Sequence, residues 1–311
     1  MKRQTRWQRF KTNIQPRIKE LKFSLRRIRG SPLSIVGIAI ILFFAIIAIL
    51  APVLAPPEYP DKPYRIPRDG FSPTPRPPSE KHQFGTTEGQ FDIYYGVIWG
   101  TRTAFTVALM VVGATVVIGI ILGSIAGYYG GIIDEIIMRI TDIFFAFPHL
   151  ILAMAFVTAF GASLDSVMKA LILVWWPSYA RLIRAEVLTV REEDYVEAAK
   201  SIGSSDFRII VKHVLPNSIY PILVMASLDM GAVVLVAAAL SFLGLGAPVG
   251  YADWGQMASF SRNWIVGPPG EPLAYWYTVV IPGLFIFFFV LGWNLLGDAF
   301  RDILDPKLRR R

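Results

Sequence analysis

Apolar and polar positions in this chain are segregated into long blocks rather than alternating residue by residue. A helix needs about 20 apolar residues to cross the hydrocarbon core of a bilayer. Six stretches approach that length: 33–54, 105–128, 136–160, 167–184, 219–243 and 273–296. The first contains no charge. The third has Arg139 and Asp142 near its start, and the fifth encloses Asp229. The fourth is interrupted by Trp175-Trp176-Pro177 and carries Arg181 and Arg184 in its last turns. The pattern predicts an all-α membrane protein with six transmembrane helices.

Charge placement orients these spans. Short loops rich in Lys and Arg stay on the cytoplasmic side. The first 30 residues hold Lys2, Arg3, Arg6, Arg9, Lys11, Arg17, Lys19, Lys22, Arg26, Arg27 and Arg29. Six crossings return the chain to that side, where Arg301, Lys307 and Arg309 to Arg311 lie. The connection after the fourth span, with Arg191, Lys200, Arg208 and Lys212, falls on the same side. Both termini are therefore expected in the cytoplasm of a multi-pass cell-membrane protein. The expected division is a basic tail (1–32), a first anchor (33–54), a Pro-rich extracytoplasmic segment (55–100), a transmembrane core (101–300) and a cytoplasmic tail (301–311). The anchor is expected to be retained, because it is too long for a signal peptide and ends in prolines rather than a small-residue cleavage site.

Composition agrees. Hydrophobic residues make up 54% and charged residues 17%, with a mean hydropathy of +0.48, where soluble domains carry about 25% charged residues. The net charge of +8 resides in the basic flanks, which argues for orientation rather than nucleic-acid binding. The absence of cysteine removes disulfides and thiolate chemistry. His82, His149 and His213 do not cluster with acids as a metal set would. No phosphate-cradling G-x-x-x-x-G-K-[ST], serine-nucleophile or H-E-x-x-H motif occurs, so no catalytic residue, metal or cofactor is expected in this chain.

The segment 195–217, YVEAAKSIGSSDFRIIVKHVLPN, is the most polar long stretch of the second half. Tyr195, Ala198, Ala199 and Ile202 share a helical face. Gly203 stops that helix, and Ser204-Ser205-Asp206 supplies a new N-cap. Phe207, Ile209, Ile210 and Val214 form a second short amphipathic run, and Pro216 opens the next span from its first turn. Such a pair could float at the lipid interface. Glu192, Glu193, Asp194 and Glu197 would be repelled by anionic headgroups, which favours a docking surface for a soluble partner.

Glu197-Ala198-Ala199, then Gly203, then Leu215-Pro216, resembles the EAA motif of ABC importer permeases, here spread over about 191–216. His213 stands where the general pattern has isoleucine, as in the dipeptide/oligopeptide subfamily. Further blocks resemble the same subfamily: His82-Gln83-Phe84-Gly85-Thr86; Tyr128-Tyr129-Gly130-Gly131 with Asp134, Arg139, Asp142 and Phe147-Pro148; Leu240 to Gly246; Asp253-Trp254-Gly255; and Asn294 to Asp298 with Arg301, Asp302 and Asp305-Pro306. The subfamily's G-T-D-x-x-G-R-D reads Gly85-Thr86-Thr87-Glu88-Gly89-Gln90-Phe91-Asp92, so its usual charged pair is replaced. The resemblance implies the type I permease fold, a second homologous permease, two cytoplasmic ABC ATPases that bind ATP and Mg, and an extracytoplasmic substrate-binding protein. It also implies that Glu197, Ala198, Ala199, Gly203, Asp206, Leu215 and Pro216 couple the permease to its ATPases. The implied cargo is oligopeptide or, alternatively, oligosaccharide, on which Tyr251, Trp254, Trp264, Tyr275, Trp276 and Tyr277 could stack; interfacial anchoring explains these aromatics equally well. An ion-coupled secondary transporter would need intramembrane charges in matching positions of two halves, and Asp229 stands nearly alone.

Asp229 lines a translocation path or is satisfied near a partner permease, where Ala226, Ser227, Gly231 and Ala232 permit close packing. Gly113, Gly119, Gly123 and Gly127 recur at the spacing of a helix-packing face. Arg139 and Asp142 are spaced for a local ion pair.

Overall fold

The computed structural model describes residues 31–304. Expectations placed on 1–30 and 305–311 lie outside them. Helix α1 spans Pro32–Leu54 and is capped by Ser31, whose Oγ accepts from the Ser34 amide. Helix α2, Ile93–Tyr129, starts 12 residues before the predicted span. Asp92 explains that start, because its carboxylate accepts from the Tyr95 amide at 2.7 Å and so satisfies an orphan donor. The added turns hold Trp99, Thr101 and Arg102 and extend the helix beyond its apolar run.

The third predicted span is two helices, α3 (Gly131–Phe145) and α4 (His149–Phe160), bent by 91° at the break. Pro148 accounts for the bend, since it has no amide to donate and forces Phe147 away from helical dihedrals. Helix α5 runs Leu164–Val190, past the predicted 167–184 at both ends. Helix α9, Tyr220–Phe242, matches the fifth span within a residue, and α11, Tyr277–Leu304, starts four residues later than predicted. Among the described residues four helices are long and apolar enough to cross a membrane, five if the bent pair is one span. Helix α5 has the length but carries Lys169, Arg181, Arg184 and Glu186.

Helices α2 and α5 form the tightest pair. Side chains added at Gly119, Gly123 and Gly127 would strike Tyr179, then Ala180 and Ile183, then Arg184 and Val187. The two registers advance together, so the helices run parallel. Gly113 faces open space and takes no part in this seam. Gly231 and Gly297 make the equivalent contact between α9 and α11, against Val290 and Leu228. One core lies among α2, α5 and α9 around Leu171, Tyr179 and Ile183. A second lies among α1, α2 and α11 around Trp99, Trp254 and Phe289.

At the end of the bundle where α1 stops and α2 begins, residues 55–92 form an irregular cover held by three isolated bridges. Ile66 is buried, and its amide donates to the Gly250 carbonyl. Tyr64 stacks on Tyr251 at 5.3 Å, and Trp99 Nε1 donates to the Ala55 carbonyl. Thr87 and Phe91, which stand where the subfamily has its charged Asp and Arg, are buried, as are Thr86 and Gln90. Gln90 Nε2 donates to the carbonyls of Ser72 and Thr74, and so gathers the proline-rich turns with neutral groups. His82 bridges Asp92 and Asp69. Hydrogen bonds from Lys81 and His82 hold the Asp69 carboxyl below its usual pKa.

The short helix α10, Trp254–Ser259, is tucked beneath this cover. Asp253 caps it by accepting from the Gln256 amide, Trp254 fills the notch left by Gly100, and Gly255 sits against Ala238. Burial pushes the Asp253 carboxyl up in pKa. Trp254 and Tyr277 are therefore core residues and not surface aromatics. Trp264 donates to Glu88 and lies edge-on to Tyr275, which leaves Trp276 the exposed member of the predicted set.

Candidate functional site: the polar loop between α5 and α9

Helix α5 is C-capped by Arg191, whose Nη1 donates to the carbonyls of Gly127 and Tyr128. That cation satisfies carbonyls left open at the C-terminus of α2 and interacts well with its dipole. Helix α6, Asp194–Ser201, follows with Asp194 and Glu197 in its first turn and Lys200 in its last, a favourable polarity for a short helix. Gly203 then adopts φ +77°. Its amide donates to Lys200 and that of Ser204 to Ala199, so the helix closes as the sequence predicts.

Ser205, within the predicted Ser204-Ser205-Asp206 cap, is the N-cap of α7, Asp206–Ile209. The chain passes through a π-helical turn, Ile210–Val214, into α8, Leu215–Ser218. Pro216 sits in that last short helix, and Pro221 occupies the first turn of α9 instead. The π turn places the extra residue between loop and span, and such turns recur at functional sites.

The loop has two apolar faces. Val196, Ala199, Ile209 and Val214 are buried and belong to the core between α2, α5 and α9. Ile202 and Phe207 flank the Gly203 turn and are 82% and 77% exposed. Ala198 and Tyr195 are also exposed. The predicted shared face is split: Ala199 is buried with Val196, while Tyr195, Ala198 and Ile202 are exposed. Phe207 likewise points away from Ile209. Glu197 is exposed, and its carboxylate has no partner among the described residues. Leu215 is half-buried and Pro216 exposed.

Asp206 faces the bundle. Its carboxylate accepts from the Tyr128 hydroxyl at 2.7 Å, and Lys200 lies 5.7 Å from the centre of the Tyr128 ring. Tyr128, at the end of α2, is therefore held between the two short helices of the loop. Sequence reasoning placed Tyr128 only in a family block, and the contact spans 78 positions with no local spacing to reveal it.

Two ion pairs fix α3 to α5 near the loop. Arg184 takes Asp134 with two hydrogen bonds, and Arg181 takes Asp142 at 2.6 Å. The predicted Arg139–Asp142 pair does not form; Arg139 instead lies 3.8 Å from Glu135 on its own helix. Farther into the bundle, Asp229 on α9 accepts from the Tyr179 hydroxyl of α5 at 2.7 Å, with Trp175 and His149 close by. Ser227 and Gly231, on the same helix, pack on α11 of this chain. The structure thus joins Asp229 to Tyr179 and keeps it apart from the loop residues.

Residues 119–310 match the family described as binding-protein-dependent transport system inner membrane component. The chain belongs to that family. Residues 22–73 match the N-terminal transmembrane domain of oligopeptide transport permease C. This permease is 41% identical to the dipeptide transport system permease protein DppC of Alkalihalophilus pseudofirmus, over 92% of this chain and 90% of that one. It is 40% identical to the probable D,D-dipeptide transport system permease protein DdpC of Escherichia coli, over 90% and 89%. It is 40% identical to the glutathione transport system permease protein GsiD of Pectobacterium atrosepticum, over 75% of each. Its fold is shared with a chain of the MetNI methionine ABC transporter, with a TM-score of 0.53 at 16% identity, over 67% of this chain and 96% of that one. The permease is accordingly a multi-pass membrane protein of the ABC importer class, and its EAA-like residues lie on the two-faced loop.

Proposed function

We propose that this permease spans the membrane six times with both termini in the cytoplasm and pairs with a second homologous permease. Together they form the path for oligopeptides delivered by an extracytoplasmic binding protein. Two cytoplasmic ABC ATPases, which hold the ATP and Mg, grip the loops of the two permeases and drive the change from inward- to outward-facing.

The observation that carries the coupling role is the outward pair Ile202 and Phe207 beside an unpartnered Glu197. Apolar side chains this exposed, on a loop with an anchored inner face, call for a protein partner. Ala198 allows close approach, Gly203 fixes the angle between the helices, and Leu215-Pro216 joins the loop to the span. Asp206 acts from the inner side, through Tyr128. Asp229 and Tyr179 contribute a polar position to the path.

The dipeptide and glutathione systems among the relatives favour peptide cargo. Burial of Trp254 and Tyr277 removes two of the aromatics that had favoured oligosaccharide. Uptake of a labelled dipeptide tests the reading in cells expressing the permease with its neighbouring transport genes. ATP depletion should abolish uptake, and an ionophore that leaves ATP intact should spare it. The reverse result would make the chain an ion-coupled carrier.

A further inference from the structure

We propose that the groove between α1 and α2 binds an anionic phospholipid through Arg102. The groove has a volume of about 370 Å³ and is walled by Ala45, Ala48 and Ile49 of α1 and by Phe105 and Thr106 of α2. Tyr64, from the proline-rich cover, closes its upper end. Arg102 is the one charged residue in the lining. Its guanidinium lies 5.2 Å from the centre of the Trp99 ring and has no ion pair or hydrogen bond among the described residues.

The depth suits a lipid headgroup. From Arg102 to the end of α2 at Tyr129 is a rise of 27 residues, or about 40 Å. That is close to the thickness of a bilayer including its headgroups. Arg102 therefore sits at phosphate level in the leaflet on the side of the proline-rich cover. Ile49, in the same groove, lies five residues before the end of α1, about 8 Å from that end along the helix and on the acyl side of it.

Each part of a phospholipid then meets its match. The phosphate pairs with the Arg102 guanidinium, whose planar donors suit that anion. The upper part of one acyl chain lies over Ala45 and Ala48, where small side chains leave room beside Phe105. A helix of a neighbouring subunit would instead bury an uncompensated cation. The phospholipid supplies the counter-charge at that depth without any protein partner.

The test uses the tagged full-length permease, purified in mild neutral detergent with the subunits that accompany it. Phosphatidylglycerol is titrated in and bound lipid is read by native mass spectrometry. Arg102→Gln should weaken binding about fivefold, the effect of one basic side chain at an anionic lipid. Ala48→Trp, which fills the groove without changing charge, should weaken it comparably. Inorganic phosphate should not displace the lipid. Wild-type phosphatidylglycerol binding in both variants would overturn the proposal. So would capture of a protein subunit rather than lipid by a photo-crosslinker at Thr106.

Discussion

Arg184 on α5 holds Asp134 on α3 through Nε and Nη2, at 2.8 and 2.5 Å. The pair closes a span of 50 positions and sits one turn from the seam where Gly127 meets Val187. It is partly shielded, with Asp134 more buried than Arg184. Arg184→Gln should therefore cost about 1–2 kcal/mol, between an exposed pair and a buried one. Melting of the purified permease would show it, and Asp134→Asn in the same background should add little further loss.

Tyr128 links the end of α2 to the polar loop through Asp206. Tyr128→Phe keeps the ring beside Lys200 and removes one hydrogen bond, worth about 1 kcal/mol. The expected outcome is a normal level of membrane-inserted permease with reduced uptake per ATP hydrolysed. An unchanged ratio would make the bond a local strut with no part in coupling.

Gly203 has φ +77° and open space where a side chain would go. The cost of replacing it is therefore backbone strain alone, about 1–2 kcal/mol for a β-branched residue. Gly203→Val should impair uptake strongly, and Gly203→Asn should retain more of it, because asparagine tolerates the left-handed region. Equal loss in both variants would point away from the turn geometry.

A side chain at Gly123 would come within 2.4 Å of the Ala180 carbonyl oxygen, whereas Gly113 faces nothing within 4 Å. Gly123→Val should separate α2 from α5 and cost about 2–3 kcal/mol. Gly113→Ala should stay within about 0.5 kcal/mol of the parent. Thermal unfolding in detergent compares the two directly.

The apolar blocks, the stop at Gly203 and the Gly119, Gly123 and Gly127 seam were legible in the sequence, because each depends on local spacing. Contacts between distant elements were not. Asp142 pairs with Arg181, 39 positions away, although Arg139 stands at a helical spacing from it. Which side of α6 packs inward was hidden for a different reason. An eight-residue helix has only two turns, and spacing alone does not say which of its apolar groups, Val196 and Ala199 or Tyr195 and Ala198, pack inward. The 91° bend was carried by Pro148, but hydropathy averages through a break that falls inside an apolar run. The early start of α2 escaped because Trp99, Thr101 and Arg102 lower the apolarity of turns that Asp92 nevertheless caps.

The native chain contains no cysteine, so Phe207→Cys creates a single thiol at the exposed tip of the loop. Cross-linking from that thiol in intact membranes asks most directly what the loop touches. The expected product joins the permease to a nucleotide-hydrolysing subunit on the inner side. Labelling of the thiol from outside intact cells by a membrane-impermeant reagent, with no such product, would contradict the account.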